Sequence, residues 1–170
     1  MNDIDSSLRI EAARPQHAAV LLSLVRDLAR FEKLEHQVVA TEEQIRDELA
    51  ASRPVIEALI AWDGAEAVGF ALYFHNFSTF LGRRGLYLED LYVVPGARRR
   101  GIGRALIAHL ASIAMARRCG RFEWAVLDWN ERAIDFYRSI GAELLPDWRI
   151  CRVTGDALGR LGQDGTIHNR

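Results

Sequence analysis

Cysteine is scarce: Cys119 and Cys151 are the only two in 170 residues. They lack the spacing of a metal site or a disulfide framework, so neither staples this fold. Both read as buried free thiols, which suits a reducing compartment and a cytoplasmic location. The five histidines (His17, His36, His75, His109, His168) are scattered. They form no ligand pair, so surface positions and no bound metal are expected. No run of 18 apolar residues occurs, which excludes a helical membrane span. The opening MNDIDSSLRI is acidic and has no apolar core of seven, unlike a signal peptide. Excess charge is missing too: 22 basic against 23 acidic residues leave −1. No global field therefore draws the chain to nucleic acid or a membrane. There is no repeat, low-complexity tract or linker. A single domain over residues 1–170 is expected, with polar, frayed ends at 1–7 and 162–170.

What is present centres on LYLEDLYVVPGARRRGIGRA, Leu86 to Ala105. Leu86 to Val94 is apolar and aromatic, broken only by Glu89 and Asp90, and predicts a buried strand. Pro95-Gly96 stops it. Leu106, Ile107, Leu110 and Ile113 then recur at helical spacing, so a helix opens near Gly101 and runs to about Arg118. A strand feeding a helix through a Gly-bearing turn makes an anion site. The first helix amides lack intrahelical partners and carry partial positive charge. Gly101 and Gly103 let a phosphate reach the backbone. Arg98, Arg99 and Arg100 add local charge; a wider basic face for DNA is absent. A P-loop would need Lys-Ser or Lys-Thr where Arg104-Ala105 stand. A dinucleotide fold would need a small residue at Leu106. Both readings fail.

In chain order, Leu8 to Ala12 predicts a strand. Gln16 to Glu32 predicts a helix with a stripe of Val20, Leu21, Leu24, Val25, Leu28 and Phe31. The connection Glu32 to His36 is polar. Thr41 and Gln44 form a capping box for a helix over about 42–50. Strands are expected over 55–62 and 67–77, joined by the Asp63-Gly64 turn. Gly82 and Gly85 read as breakers before the central strand, and Gly120 as a C-cap glycine. A strand over 121–127, a helix over 131–140 ended by Gly141, a last strand over 148–153 and a short helix over 156–161 complete the chain.

The pattern Arg98-x-x-Gly101-x-Gly103 after a strand resembles the pyrophosphate loop of the GNAT acetyltransferases. The element order β-α-α-β-β-β-α-β-α-β is similar to theirs as well. So is Asn130-x-x-Ala133-x-x-Phe136-Tyr137 followed by Gly141. Tyr87-Leu88-Glu89-Asp90, with Ala125-Val126-Leu127-Asp128-Trp129-Asn130, resembles the diamine acetyltransferase branch, nearest its thialysine members. Phe31-Glu32, Glu35-x-Gln37-Val38, Thr41-Glu42, Gly69-Phe70-Ala71 and Trp148-Arg149 extend the match over about 9–153.

The resemblance implies an α/β (α+β) acyltransferase fold with a mixed central sheet. It implies acetyl-coenzyme A as co-substrate, a small primary amine as acceptor and a homodimer. Coenzyme contacts then fall to Leu91, Tyr92 and Val93 along the pantetheine arm. Arg98, Arg99, Arg100, Gly101, Ile102, Gly103 and Arg104 take the phosphates; Asn130, Ala133 and Tyr137 come from the later motif. Val93 backbone would polarise the thioester carbonyl. Tyr137 would protonate the departing sulfur, as a phenol with a pKa near 10 can for a thiolate. Glu89, costly in an apolar strand unless paired or solvated, would take the proton of the amine. Phe31, Glu32, Glu35, Glu89 and Asp90 would line the acceptor side. Adjacent strand residues face opposite ways, so Glu89 and Asp90 share a face only across a bulge.

A polyamine needs a carboxylate for each desolvated ammonium. His36 stands where the polyamine branch carries an acid, and Phe77 to Leu81 lacks the acid of that branch. A short amine with its own carboxylate, such as thialysine, is therefore expected over spermidine, with His36 or Arg84 as partner for that carboxylate. Acetylation of a protein Lys or N-terminus stays open, as does a coenzyme-binding module without chemistry.

Overall fold

The computed structural model describes residues 7–165. They fall into two compact units that meet in sequence at Ala125 and Val126. The first contains β1 (Leu8–Ala12), α1 (Ala18–Phe31), α2 (Glu42–Ala50), β2 (Glu57–Asp63), β3 (Glu66–Ser78), β4 (Arg83–Val93), α3 (Ile102–Ala116) and β5 (Phe122–Trp124). Short 3-10 turns at Pro15–His17, Glu35–Gln37 and Pro95–Ala97 link them. One mixed sheet runs β1-β2-β3-β4-β5. Every pairing is antiparallel except β4 with β5.

Helical spacing decides which side of α1 is buried. Leu21, Leu24 and Leu28 pack with Ile45 of α2 onto Ala58, Phe70, Leu72 and Tyr92 of the sheet. Helix α3 buries Ile102, Leu106, Leu110 and Ala114 and covers the other face. Thr41 caps α2 as its sequence requires: its hydroxyl accepts from the Gln44 amide, and the Gln44 side chain accepts from the Thr41 amide.

Several expectations need correction. Strand β5 stops at Trp124, three residues short of Leu127. Its last partner is Leu88, immediately before β4 bulges at Glu89, and the bulge bends β4 away from further pairing. Gly120 does not end α3. The left-handed residue there is Arg118 (φ 56), and Cys119 closes the turn by donating to the Ala114 carbonyl at 2.8 Å. Gly120 is required for a different reason: a Cβ there would lie 2.7 Å from Arg83 Cγ and Cδ. Gly85 breaks nothing. It sits inside β4, where a Cβ would collide with Asn76 and press on Arg121. Cys119 is only half-buried and Cys151 is exposed. His17 and His75 are half-buried rather than on the surface.

The second unit holds α4 (Glu131–Ser139) and α5 (Gly155–Asp164). Asn130 caps α4, its side-chain oxygen accepting from the Ala133 amide at 3.3 Å. Gly141 (φ 89) ends it. The strand expected over 148–153 is not formed: these residues have no ladder partner among the described residues, and Trp148, Ile150 and Val153 are exposed. Of the ends expected to fray, Ser7 instead donates to Asp63 at 2.5 Å, and residues 162–164 continue α5. Residues 1–6 and 166–170, with His168, lie outside the described residues.

Candidate active site

The loop between β4 and α3 is built to receive an anion. Arg99 (φ 66) and Gly101 (φ 81) are left-handed, and Arg100 between them is not. Backbone of alternating hand turns successive N–H groups into one concavity. The first amides of α3, which have no intrahelical partner, follow directly, with Gly101 as N-cap. Nothing lies within 4 Å of where a Gly101 Cβ would be, so the approach is open. These features fit a pyrophosphate.

The edge of β4 beyond this loop is open within the first unit. The Val94 amide bonds the Val68 carbonyl at 3.0 Å. Antiparallel pairing alternates, so Tyr92 and Val94 turn their N–H groups toward β3. Leu91 and Val93 therefore turn theirs the other way, where β5 no longer pairs. Two strand amides that alternate along one edge, turned away from β3, can hold an extended amide-bearing chain and a carbonyl oxygen.

The acids lie beside that edge. Leu72 pairs with Asp90 while Tyr73 pairs with Leu88, so Glu89 is the extra residue of a bulge. Glu89 continues the parity of Tyr87, whose ring packs on Phe74. Asp90 starts the parity of Tyr92, which belongs to the core under α1. The bulge thus brings both carboxylates to one face. Burial pushes Asp90 up to about 6, and the negative charges of Glu89 and Glu32 push the same way. Burial also raises Glu32, the C-cap of α1. Glu35 is more remote in role: it accepts from Arg30 Nε at 2.9 Å and ties down the connection after α1.

Two arginines of the loop have internal partners. Arg98 Nε donates to the Val93 carbonyl at 2.9 Å, and its guanidinium lies over the rings of Phe31 and Tyr92. Arg100 reaches Asp63 at 2.6 Å, which holds the Asp63 carboxyl below its usual range, helped by Ser7. Asp63 reads in sequence only as a hairpin turn, and no local signal shows that it anchors this loop. Arg99 and Arg104 are exposed beside the β4–α3 turn; Ile102 is buried and Gly103 half-buried. In the second unit, Asn130, Ala133 and Tyr137 share α4 and its cap. Among the described residues no His, Cys, Asp or Glu cluster is fit to hold a metal. Among the same residues no helix is long and apolar enough to cross a membrane.

An alternating-hand loop on a helix N-terminus, at the foot of an opened strand edge, suits a ligand that joins a pyrophosphate to an extended chain. The chain matches the Acetyltransferase (GNAT) family over residues 21–142, a span that includes parts of both units. It belongs to that family and is an acetyltransferase. It is 37% identical over 167 residues to the thialysine N-epsilon-acetyltransferase of Mus musculus, covering 92% of this chain and 98% of that one. The L-ornithine N5-acetyltransferase of Arabidopsis thaliana is 31% identical over 196 residues, covering 88% and 86%. Among solved structures, an integron cassette protein from the mobile metagenome of V. cholerae superimposes with a TM-score of 0.78. It is 28% identical and covers 92% of this chain and 98% of that chain.

Proposed function

We propose that the two units act as one N-acetyltransferase domain. It moves the acetyl group of acetyl-coenzyme A to a primary amine of a small molecule by direct attack in a ternary complex. The observation that carries this reading is the bulge at Glu89. It gathers Glu89 and Asp90 near Glu32, beside the Leu91 and Val93 amides that turn away from β3. The cluster holds an ammonium, and Glu89 accepts its proton. The neutral nitrogen then attacks the thioester carbonyl, whose oxygen takes the Val93 N–H. The C–N bond forms as the C–S bond breaks, and Tyr137 gives its proton to sulfur. Tyr137 enters through the Asn130-x-x-Ala133-x-x-Phe136-Tyr137 motif.

The preferred acceptor is a thialysine- or lysine-like amine rather than spermidine. The relatives named for thialysine and ornithine support an amino-acid acceptor. So does the segment Phe77 to Leu81, which carries no acid. Of the two candidates for its carboxylate, His36 is favoured. It lies in the turn that also carries Glu35, whereas Arg84 shares the parity of Leu86 and Leu88 on the α3 side. A homodimer and a cytoplasmic location belong to the same reading.

The test is acetyl-coenzyme A turnover against thialysine, lysine, ornithine, putrescine, spermidine and a histone peptide. A higher kcat/KM for thialysine than for spermidine is expected. The reverse order sinks the substrate choice. Turnover of the peptide alone would make this a protein acetyltransferase, and coenzyme binding without any turnover would leave a non-catalytic module.

A further inference from the structure

Arg98 opens the phosphate loop, yet its side chain is committed to the interior. Its Nε donates to the Val93 carbonyl oxygen at 2.9 Å. Its Cζ lies 4.9 Å from the ring centroid of Phe31 and 5.6 Å from that of Tyr92. A planar guanidinium held by an N–H bond and lying against two rings has lost most of its freedom to swing outward.

The partners come from different parts of the site. Val93 ends β4, and its own N–H faces the open edge. Phe31 is the last residue of α1 and leads directly into Glu32. Tyr92 lies two residues beyond Asp90 on the same face. Phe31 is still 39% exposed, so core packing alone does not fix it, and the guanidinium supplies part of its contact. The turn that follows has a weak point of its own: Lys33 is left-handed (φ 63) without being glycine. Backbone bonds such as Leu34 N–H to the Ala29 carbonyl close this turn, and ion pairs of Arg30 with Asp27 and Glu35 lie on its solvent side.

We propose that Arg98 is a positioning residue. It braces the phosphate loop, the Val93 end of β4 and the end of α1 into one body. Phosphate charge is met instead by loop amides and by Arg99 and Arg104. The inference rests on the reading of the loop as a coenzyme site and assigns a different task to one of its residues. Cutting the brace frees the Phe31–Glu32 end from the β4 edge, so acceptor binding suffers before coenzyme binding does.

Three measurements on Arg98→Gln, Arg98→Lys and Arg99→Gln test it. First, amide hydrogen exchange of the ligand-free protein: Arg98→Gln is expected to speed exchange across residues 31–37 by about fivefold, the scale of one cation–π contact. Second, calorimetry with free coenzyme A over a salt series. Arg98→Gln is expected to shift Kd by less than about threefold with the salt slope of the parent, while Arg99→Gln weakens binding and flattens that slope. Third, steady-state kinetics with thialysine: KM for the amine is expected to rise about tenfold in Arg98→Gln, with a smaller change in kcat and partial recovery in Arg98→Lys. Unchanged exchange over 31–37 overturns the brace. A tenfold loss of coenzyme affinity with a flatter salt slope in Arg98→Gln makes Arg98 a phosphate ligand instead. A parent that fails to bind coenzyme A sinks the acetyltransferase reading, and the exchange result still judges the brace.

Discussion

Glu89 and Asp90 are neighbours in a strand and yet present their carboxylates to the same face. The ladder slips by one residue between them and the facing Leu72 and Tyr73. The cost is electrostatic: Asp90 is pushed up to about 6, by burial first and by Glu89 and Glu32 next.

That cost makes a stability test. An acid whose folded pKa exceeds its unfolded value binds protons more tightly when folded. Stability is therefore highest below the unfolded pKa, near 4, and falls as pH rises through about 6. Asp90→Asn removes the penalty. It is expected to raise unfolding free energy by on the order of 2 kcal/mol at pH 7.5, and by almost nothing at pH 4. Urea titrations of both proteins at the two pH values measure this. An equal gain at both would show that ionisation of Asp90 is not the cause.

Gly101→Val is expected to abolish measurable coenzyme A binding in calorimetry. The substitution puts a branched side chain at φ 81 and into the open approach to the loop. Backbone strain alone should cost roughly 1–2 kcal/mol. Circular dichroism establishes that the variant is folded, and unchanged affinity in a folded variant removes the phosphates from this loop.

Tyr137→Phe is expected to lower kcat by roughly 10²-fold with coenzyme affinity nearly intact, the usual scale for a lost general acid. No acetyl-cysteine should form, since Cys119 follows α3 and Cys151 lies in the second unit, both outside the motifs. Intact-mass spectrometry of rapidly quenched turnover checks this: a kinetically competent acetylated Cys replaces direct transfer with a two-step route.

Arg118→Gly is expected to stabilise the protein by about 0.5–1 kcal/mol. Arg118 holds φ 56 at the end of α3, a conformation that costs an L side chain and not glycine. The larger unfolded-state entropy of glycine offsets part of the gain. A lower denaturation midpoint in Arg118→Gly would mean that its side chain contributes more than its backbone costs.

Much of this fold was legible because it depends on local spacing. The stripe of α1 and the Thr41–Gln44 box need only neighbours along the chain, and α2 occupies the residues they mark. The strand, turn and helix around Gly101 were legible for the same reason. Features that need two separated segments were not. The bulge at Glu89 exists only in relation to Leu72 and Tyr73, and an apolar run reads the same with or without it. Gly120 looked like a cap because it follows a helix, and its role depends on Arg83, far away in sequence. Residues 148–153 read as a last strand, but a strand also needs a ladder partner, and the described residues offer none. The engagement of Arg98 with Phe31 was equally hidden, since both had already been read for other tasks.

The sheet lists its strands in space in the order in which the chain makes them. This bears on how the molecule assembles. The β2-β3-β4 meander closes through short turns at Asp63–Glu66 and Ser78–Arg83, so its loop entropy is small. Pairing β1 with β2 must instead wait for α1 and α2 to pack, and pairing β4 with β5 must wait for α3 to cross over. The meander is thus the natural folding nucleus. The Leu91–Val93 edge would form early and stand unpaired while α3 is still closing, so refolding yield should fall as protein concentration rises.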